Sequence, residues 1–284
     1  MTALFAFWLL VVSLSASALG GMLGMASGIF IVPILTLFGR VDIHTAIGAS
    51  IISVIACSCG SAAPFLRERL TNIRLAVVLE VATTLGALSG AMLFGIVPVQ
   101  WLYVLFAAIL LLSAQQMLRR RSRRITHFTP EDPTGWSRLA ASYPDRDAGV
   151  EVRYGVGRLP LGLTLMFGAG FISALLGIGS GVLKIPAMDT ALRLPIKVSS
   201  ATSNFMIGVT AAASAGTYFA RHLIDSAIAG PVALGSVVGA ILGARVLMRV
   251  SNEKLRIAFV FVLLALTVQM LLSAFGIDLL HGAG

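Results

Sequence analysis

The sequence predicts an all-α polytopic membrane protein built from two inverted-topology repeats. Each repeat has five helical elements, including one glycine-broken helical hairpin. Three observations predict this: long apolar stretches in a chain with few charges, a self-match at one fixed offset, and a reversal of loop charge between the halves. Of 284 residues, 57% are hydrophobic and 12% charged, and mean hydropathy is +0.94. A soluble domain carries about 25% charged residues. The uncharged stretches reach the roughly 20 residues that a helix needs to cross the hydrocarbon core. They are continuously apolar and lack the alternation of barrel strands, so they read as helices.

The net charge of +9 does not point to nucleic acid. The basic residues sit in short loops and one linker, where they set topology. Cys57 and Cys59 lie inside an apolar run, and a CxC pair lacks the four ligands of a structural zinc site. No metal or cofactor is expected. The amino-terminal apolar run resembles a signal peptide ending at Ser15-Ala16-Ser17-Ala18, but no lysine or arginine precedes it, as a signal peptide's basic start would require. It is expected to be retained.

An offset of 153 residues aligns most of the chain with itself. Gly24, Ser27, Gly28 and Pro33 match Gly177, Ser180, Gly181 and Pro186; Ile43 and Ser50 match Ile196 and Ser203. Gly86, Ala87, Gly90 and Ala91 match Gly239, Ala240, Gly243 and Ala244, and Leu102, Phe106 and Met117 match Leu255, Phe259 and Met270. Glycine and proline matches at one constant spacing indicate a duplication. Residues 1–118 form the first repeat, 119–157 a basic linker and 158–284 the second repeat. Each repeat starts with a glycine-broken stretch (4–38; 157–192). Three spans follow, at 43–65, 75–97 and 99–118, and again at 197–219, 226–248 and 254–275. The linker contains Thr129-Pro130-Glu131-Asp132-Pro133-Thr134-Gly135, a run of turn formers. It is expected to be a surface loop with a short amphipathic helix near Trp136–Tyr143.

Charge supplies the orientation. In the first half, Arg67, Arg69 and Arg74 crowd the loop after the second segment, and Arg119, Arg120, Arg121, Arg123 and Arg124 open the linker. Positive loops face the cytoplasm. The corresponding loop of the second half, 220–225, is nearly neutral, whereas the next one holds Arg245, Arg249, Lys254 and Arg256. Equivalent loops on opposite sides mark an inverted repeat. Parity then requires each glycine-broken stretch to leave and return to the same face, as a hairpin with arms of about 15–17 residues, short for a full crossing. The linker is expected to be cytoplasmic and both termini outside.

The hairpin turns, Gly20–Gly28 and Gly177–Gly181, each precede an apolar half-helix. Glycine allows close approach of backbone to ligand. A half-helix starting inside the membrane offers free N–H groups and the positive end of its dipole, which together suit an anion. The candidate contacts are Gly24, Ser27, Gly28, Gly177, Gly179, Ser180 and Gly181. The pairs Gly86/Gly90 and Gly239/Gly243 have the small-xxx-small spacing of helix packing. Lys184 stands four positions after Ser180 in an apolar half-helix, where the first half has Ile31. A lysine at the centre of a membrane helix costs roughly 2.5–3.5 kcal/mol on insertion scales. It is expected to attract the anion, or else to pair with Glu80 or to snorkel to the interface. Ser50, Ser203 and Asn204 are further contacts, and Glu80 is a candidate coupling residue.

The motifs Gly24-Met-Ala-Ser-Gly-Ile-Phe-Ile-Val-Pro33 and Gly177-Ile-Gly-Ser-Gly-Val-Leu-Lys-Ile-Pro186 resemble those of the TauE/SafE family of sulfite and organosulfonate exporters, which includes permease-type members for 4-toluene sulfonate. Ala46-Ile-Gly-Ala-Ser50 and Ser199-Ser-Ala-Thr-Ser203 also fit. The first copy has Ala26 and Ser27 where the family has a run of glycines, and the second has Ser180. The resemblance implies a multi-pass protein of a bacterial-type inner membrane that exports sulfite, sulfoacetate or thiosulfate by alternating access. An interior-negative potential expels anions by about 2.3 kcal/mol per charge per 100 mV, so a facilitator needs no coupling ion; proton antiport through Glu80 stays open. The expected partners are the anion, the bilayer and, through glycine-zipper faces, a second copy in a homodimer. The competing readings are a membrane sensor or assembly subunit, or an intramembrane enzyme. The enzyme reading is disfavoured because His44, His127, His222 and His281 fall in loops, linker or tail.

Overall fold

The computed structural model describes residues 3–23, 26–94, 96–119, 139–145, 150–247 and 252–275. Within them the chain forms ten helices and one β-hairpin. The first half has α1 (Ala3–Leu23), α2 (Gly28–Leu37), α3 (Ile43–Arg67), α4 (Ile73–Leu93) and α5 (Val99–Arg119). Strands β1 (Ala141–Asp145) and β2 (Val150–Tyr154) follow, then α6 (Leu159–Leu176), α7 (Gly181–Thr190), α8 (Ile196–Ala220), α9 (Ser226–Leu247) and α10 (Asn252–Ala274). Five stretches among the described residues are long and apolar enough to cross a membrane: Ala3–Gly21, Ile43–Arg67, Ile73–Leu93, Leu159–Leu176 and Ser226–Gly243. The protein is therefore an all-α, multi-pass membrane protein. Helix α8 has the 25 residues of α3, but Ser199, Ser200, Thr202, Ser203 and Asn204 in its opening turns lower its hydropathy.

Local chemistry sets the helix ends. The Asp42 carboxylate accepts the N–H groups of His44 and Thr45 at 2.9 and 3.4 Å, capping α3. The Asn72 side chain accepts that of Leu75 at 3.1 Å, capping α4. Such caps replace missing intrahelical partners. Helix α6 ends where Gly177 turns left-handed, at φ 63°, the usual device for leaving a helix.

The glycine-broken stretches are helix pairs with arms more unequal than expected. Arms α1 and α6 have 21 and 18 residues, whereas α2 and α7 have ten each. Ten residues rise about 15 Å, half of a bilayer core of about 30 Å. The first arms run on up to the glycine turns, and the second stop early because the chain leaves through Arg40 and Arg193, at φ 52° and 56°. The ends of the second broken stretch lie together: the Gly157 and Arg158 N–H groups donate to the Leu192 and Ala191 carbonyls at 3.0 and 3.1 Å.

Backbone and packing recur at the 153-residue spacing. Ala26 and Gly179 (φ 65° and 76°), Arg40 and Arg193, and Arg69 and His222 (56° and 55°) are pairs of left-handed residues 153 apart. Helix α1 packs on α9 as α6 packs on α4, and α3 packs on α9 as α8 packs on α4; α3 meets α8 and α5 meets α10. A methyl group at Gly86 or Gly90 would strike the carbonyl oxygen of Phe167 or Phe171, and one at Gly239 or Gly243 that of Leu14 or Ala18. Each contact in the second pair is the first shifted by 153 residues. These glycines let backbones touch where helices cross.

The linker departs from expectation. In place of a helix near Trp136–Tyr143, residues 141–143 belong to β1, which pairs antiparallel with β2 in the register Tyr143 to Val152 and Ala141 to Tyr154; residues 136–138 lie outside the described part. The cause is the alternation Val150-Glu151-Val152-Arg153-Tyr154, a period-two pattern that supplies a strand partner. Tyr143 and Tyr154 are buried in a cluster with Leu75, Leu79, Leu159, Met188 and Leu192, and the Asn72 amide donates to the Leu139 carbonyl at 3.0 Å. The hairpin thus packs over the starts of α4 and α6 and the end of α7. Burial pushes the Tyr154 hydroxyl up to about 12.

Candidate functional site

The two turns meet between α3 and α8. A Cβ at Gly28 would fall against the Gly177 carbonyl oxygen and 2.9 Å from the Ile178 backbone. One at Gly179 would lie 2.7 Å from the Ala26 Cβ, 3.3 Å from Val54 and 3.4 Å from Ile207. Val54 and Ile207 are themselves 153 residues apart. Gly28 is therefore required by backbone contact between the turns and Gly179 by the close Ala26 side chain, and Gly177 and Gly179 also by positive φ. Gly181 opens α7 as Gly28 opens α2. Gly24 lies outside the described residues.

Hydroxyls line this junction, and they are not equally occupied. Ser50 donates to the Gly177 carbonyl at 2.7 Å and is also 2.8 Å from that of Ile47. Ser27 bonds Ser53 at 2.6 Å, and Ser53 bonds Ser236 at 2.5 Å, a chain that ties α2 to α3 and α9. Ser180, the counterpart of Ser27, has a buried hydroxyl with no hydrogen-bond partner, and so does Ser203, the counterpart of Ser50. For Ser180 the reason is visible in the sequence. The positions matching Ser53 and Ser236 are Met206, which has no hydroxyl, and Thr83, which donates to its own helix at Leu79. A buried hydroxyl without a partner costs roughly 1–3 kcal/mol, which a ligand oxygen could recover. The Asn204 amide reaches the Gly21 carbonyl at 3.4 Å, and the Asn204 carbonyl accepts from Ser58.

Lys184 is fully buried on α7 and points to α4 and α8. Its Nζ lies 3.2 Å from Glu80 Oε2 and 2.7 Å from Thr210 Oγ1. Thr210 donates to Glu80 Oε1 at 2.5 Å, and Thr84 to the same oxygen at 3.4 Å. Lysine and glutamate thus neutralise each other across a shared threonine. Ser180 is one turn away, its carbonyl accepting the Lys184 N–H at 2.8 Å. The positions 153 residues away are Ile31 and Cys57 in the first half and Ala233 on α9 of the second. Among the described residues, no group of three or more histidine, cysteine, aspartate and glutamate side chains could hold a metal ion.

Sequence reasoning missed Thr210, Ser53 and Ser236. Ser236 could have been found, because the 153-residue spacing sets it against Thr83, polar on polar in an apolar span. Thr210 had no signal of its own; only the need of Glu80 for a buried partner points to it. A cavity of about 360 Å³ lies elsewhere, between Thr36, Arg40, Asp42, Tyr103, Gln269 and Ser273. The turn hydroxyls and Lys184 are buried, so a solute reaches them only if helices move.

A multi-pass helical protein with two short half-helices meeting at buried glycine turns has the architecture of a membrane transporter. The chain matches the family described as Sulfite exporter TauE/SafE over residues 9–270 and belongs to it. It is similar to the Probable membrane transporter protein YunE of Bacillus subtilis (strain 168), with 28% identity over 84% of this chain and 85% of the relative. It is also similar to YdhB of the same organism, named in the same way, with 25% identity over 79% and 83%. A Probable membrane transporter protein of Xylella fastidiosa (strain 9a5c) is 26% identical over 88% of each chain. No solved structure matches the chain.

Proposed function

We propose that the protein carries a small sulfur-containing anion, sulfite or an organosulfonate such as sulfoacetate, out of the cell by alternating access. The observation that carries this reading is the junction itself: two turns at matching positions start the buried helices α2 and α7 against one another. The described N-terminal residues of both helices present backbone N–H groups and positive dipole ends, and Ser180 and Ser203 offer hydroxyls with nothing to bind. Ser27, Ser50, Asn204 and Lys184 are assigned to the same proposed centre, and Gly24 is assigned to it on its sequence position alone. The family's description as sulfite exporters supports the substrate class.

The architecture we propose is two inverted repeats, residues 1–118 and 158–284, joined by a cytoplasmic linker, in a bacterial-type inner membrane with both termini outside. The reversal of loop charge supports the inversion, and the matched pairs α1·α9 and α6·α4 suit two halves related by a two-fold axis. In this reading the halves or their hairpins rock about the junction to open it to either side. A homodimer would form through another face, because Gly86, Gly90, Gly239 and Gly243 are taken up by contacts within the chain. The test is flux: purified protein in liposomes should move at least one of sulfite, thiosulfate or a panel of sulfonates. Failure with all of them would refute the substrate class, and reporter fusions placing the linker outside would refute the topology.

A further inference from the structure

We propose that the anion travels with a proton, that Glu80 is the proton's binding site, and that the pair crosses together as symport. This deepens the transport reading and rests on it. In the closed state Lys184 is not a free positive charge: Glu80 lies at 3.2 Å and Thr210 bridges both groups. All three are buried. An anion entering at Ser180, one turn from Lys184, would therefore place a second negative charge beside a single cation. Burying a charge that nothing balances is strongly unfavourable.

Among the described residues Glu80 has no other cationic partner, and the dipole ends of α2 and α7 supply only about half a charge each. Helix α6, packed on α4, has no ionisable residue. Helix α8 has Lys197 near its start, thirteen positions before Thr210, and Tyr218, whose hydroxyl donates to the Ala174 carbonyl. Helix α5 has Tyr103 and its terminal Arg119. Helix α4 itself has Arg74 at its first turn, and α7 has Asp189 beyond Lys184.

Balance is restored if Glu80 takes a proton as the anion takes Lys184. A protonated carboxyl keeps one donor and its acceptor oxygens, and Thr210 and Thr84, already at 2.5 and 3.4 Å, remain to bond it. The empty site holds one positive and one negative charge. The loaded site holds the lysine cation, the anion and a neutral acid. On release the proton leaves Glu80 and the ion pair re-forms, so the carrier returns neutral. The cargo is one anion and one proton, so export runs down the anion's own outward gradient and against any inward proton gradient. A monoanionic sulfonate then crosses with no net charge; a dianion crosses with one net negative charge, which faces the α2 and α7 dipole ends in the site and which an interior-negative potential drives outward. The matching positions Ile31, Cys57 and Ala233 carry no carboxylate and form no second proton site of this kind.

The test uses the full-length protein in liposomes, with the membrane potential clamped at zero and a trapped pH dye. The probes are thiosulfate and sulfoacetate, which do not titrate near neutral pH. An inward proton gradient should accumulate the transported probe about tenfold per pH unit, since each pH unit and each tenfold in concentration have the same free energy. One proton should enter with each anion. Glu80→Gln should lose the accumulation, and whatever flux it retains should ignore the pH gradient. Wild-type anion flux without proton entry overturns the proposal while leaving transport intact. So does unchanged gradient-driven accumulation by Glu80→Gln. Failure of the wild type to move either probe, or any sulfite or sulfonate, overturns both readings. The wild-type stoichiometry decides the matter even if Glu80→Gln does not fold.

Discussion

The two halves share a backbone and differ in chemistry. Left-handed residues, helix pairs and carbonyl-touching glycines recur 153 residues apart. At the centre the likeness stops. On one side the Ser27 hydroxyl is held by Ser53 and Ser236, and the neighbouring Ile31, Cys57 and Ala233 carry no charge. On the other the Ser180 hydroxyl has no partner, and Lys184, Glu80 and Thr210 form a buried ionic cluster. Backbone features must match for two similar halves to pack, because each glycine contact serves both. The side chains at the junction are free of that constraint, and there the two matching sides differ: one is fastened by serines, and the other leaves the Ser180 hydroxyl without a partner.

Breaking the shared part should have the largest effect. Gly28→Val would drive a side chain into the Gly177 carbonyl. Overpacking of this kind costs typically 1–3 kcal/mol and more against rigid backbone, so loss of monodisperse protein is expected on size-exclusion chromatography. The cluster comes next. Lys184→Met leaves Glu80 buried without its cation, a loss of about 3–5 kcal/mol, read as a fall in thermal midpoint in detergent. A smaller effect separates the paired serines. Ser27→Ala breaks a hydroxyl chain and should lower stability by about 1 kcal/mol. Ser180→Ala removes no bond present in the closed protein, so the midpoint should hold while KM for the transported anion rises several-fold. Equal destabilisation by the two would erase the proposed contrast.

The smallest effect belongs to the linker hairpin. Tyr154 is held neutral by burial, its hydroxyl raised from the usual 10 to about 12. Its contribution to docking is therefore complete below pH 10 and lost as pH rises from 10 through 12. Proteolysis between β2 and α6 should accelerate across that window, and Tyr154→Phe should delay the change.

Much of the frame was legible because its causes are local. Helices lie within four residues of the spans marked from hydropathy, since lipid leaves backbone groups no partner but their own helix. The glycine turns were legible because glycine followed by proline at matching positions is hard to produce by composition. The unequal arms were not, because where α1 and α6 stop depends on how the two turns meet. The β-hairpin was hidden by Pro144 and by the short stretch that alternates. At the site, Lys184 and Glu80 stood out as charges in apolar helices, but their bridge through Thr210 joins residues 130 apart, and one threonine in an apolar helix carries no sign of it. The vacancy at Ser180 could be read only after Ser27 was found to be filled.

The central claim is that one side of the junction, Ser180 with the Lys184, Thr210 and Glu80 cluster drawn from both halves, supplies the working chemistry of an anion site. Its most direct test is flux through liposomes containing the wild type, beside a variant whose Lys184, Thr210 and Glu80 are replaced by the residues 153 positions away, Lys184→Ile, Thr210→Cys and Glu80→Ala. All charge in the cluster is then gone and none is left unpaired, so the variant should fold as well as the wild type. The account predicts sulfite or sulfonate flux by the wild type and background flux by the folded variant. Undiminished flux through the variant would contradict it.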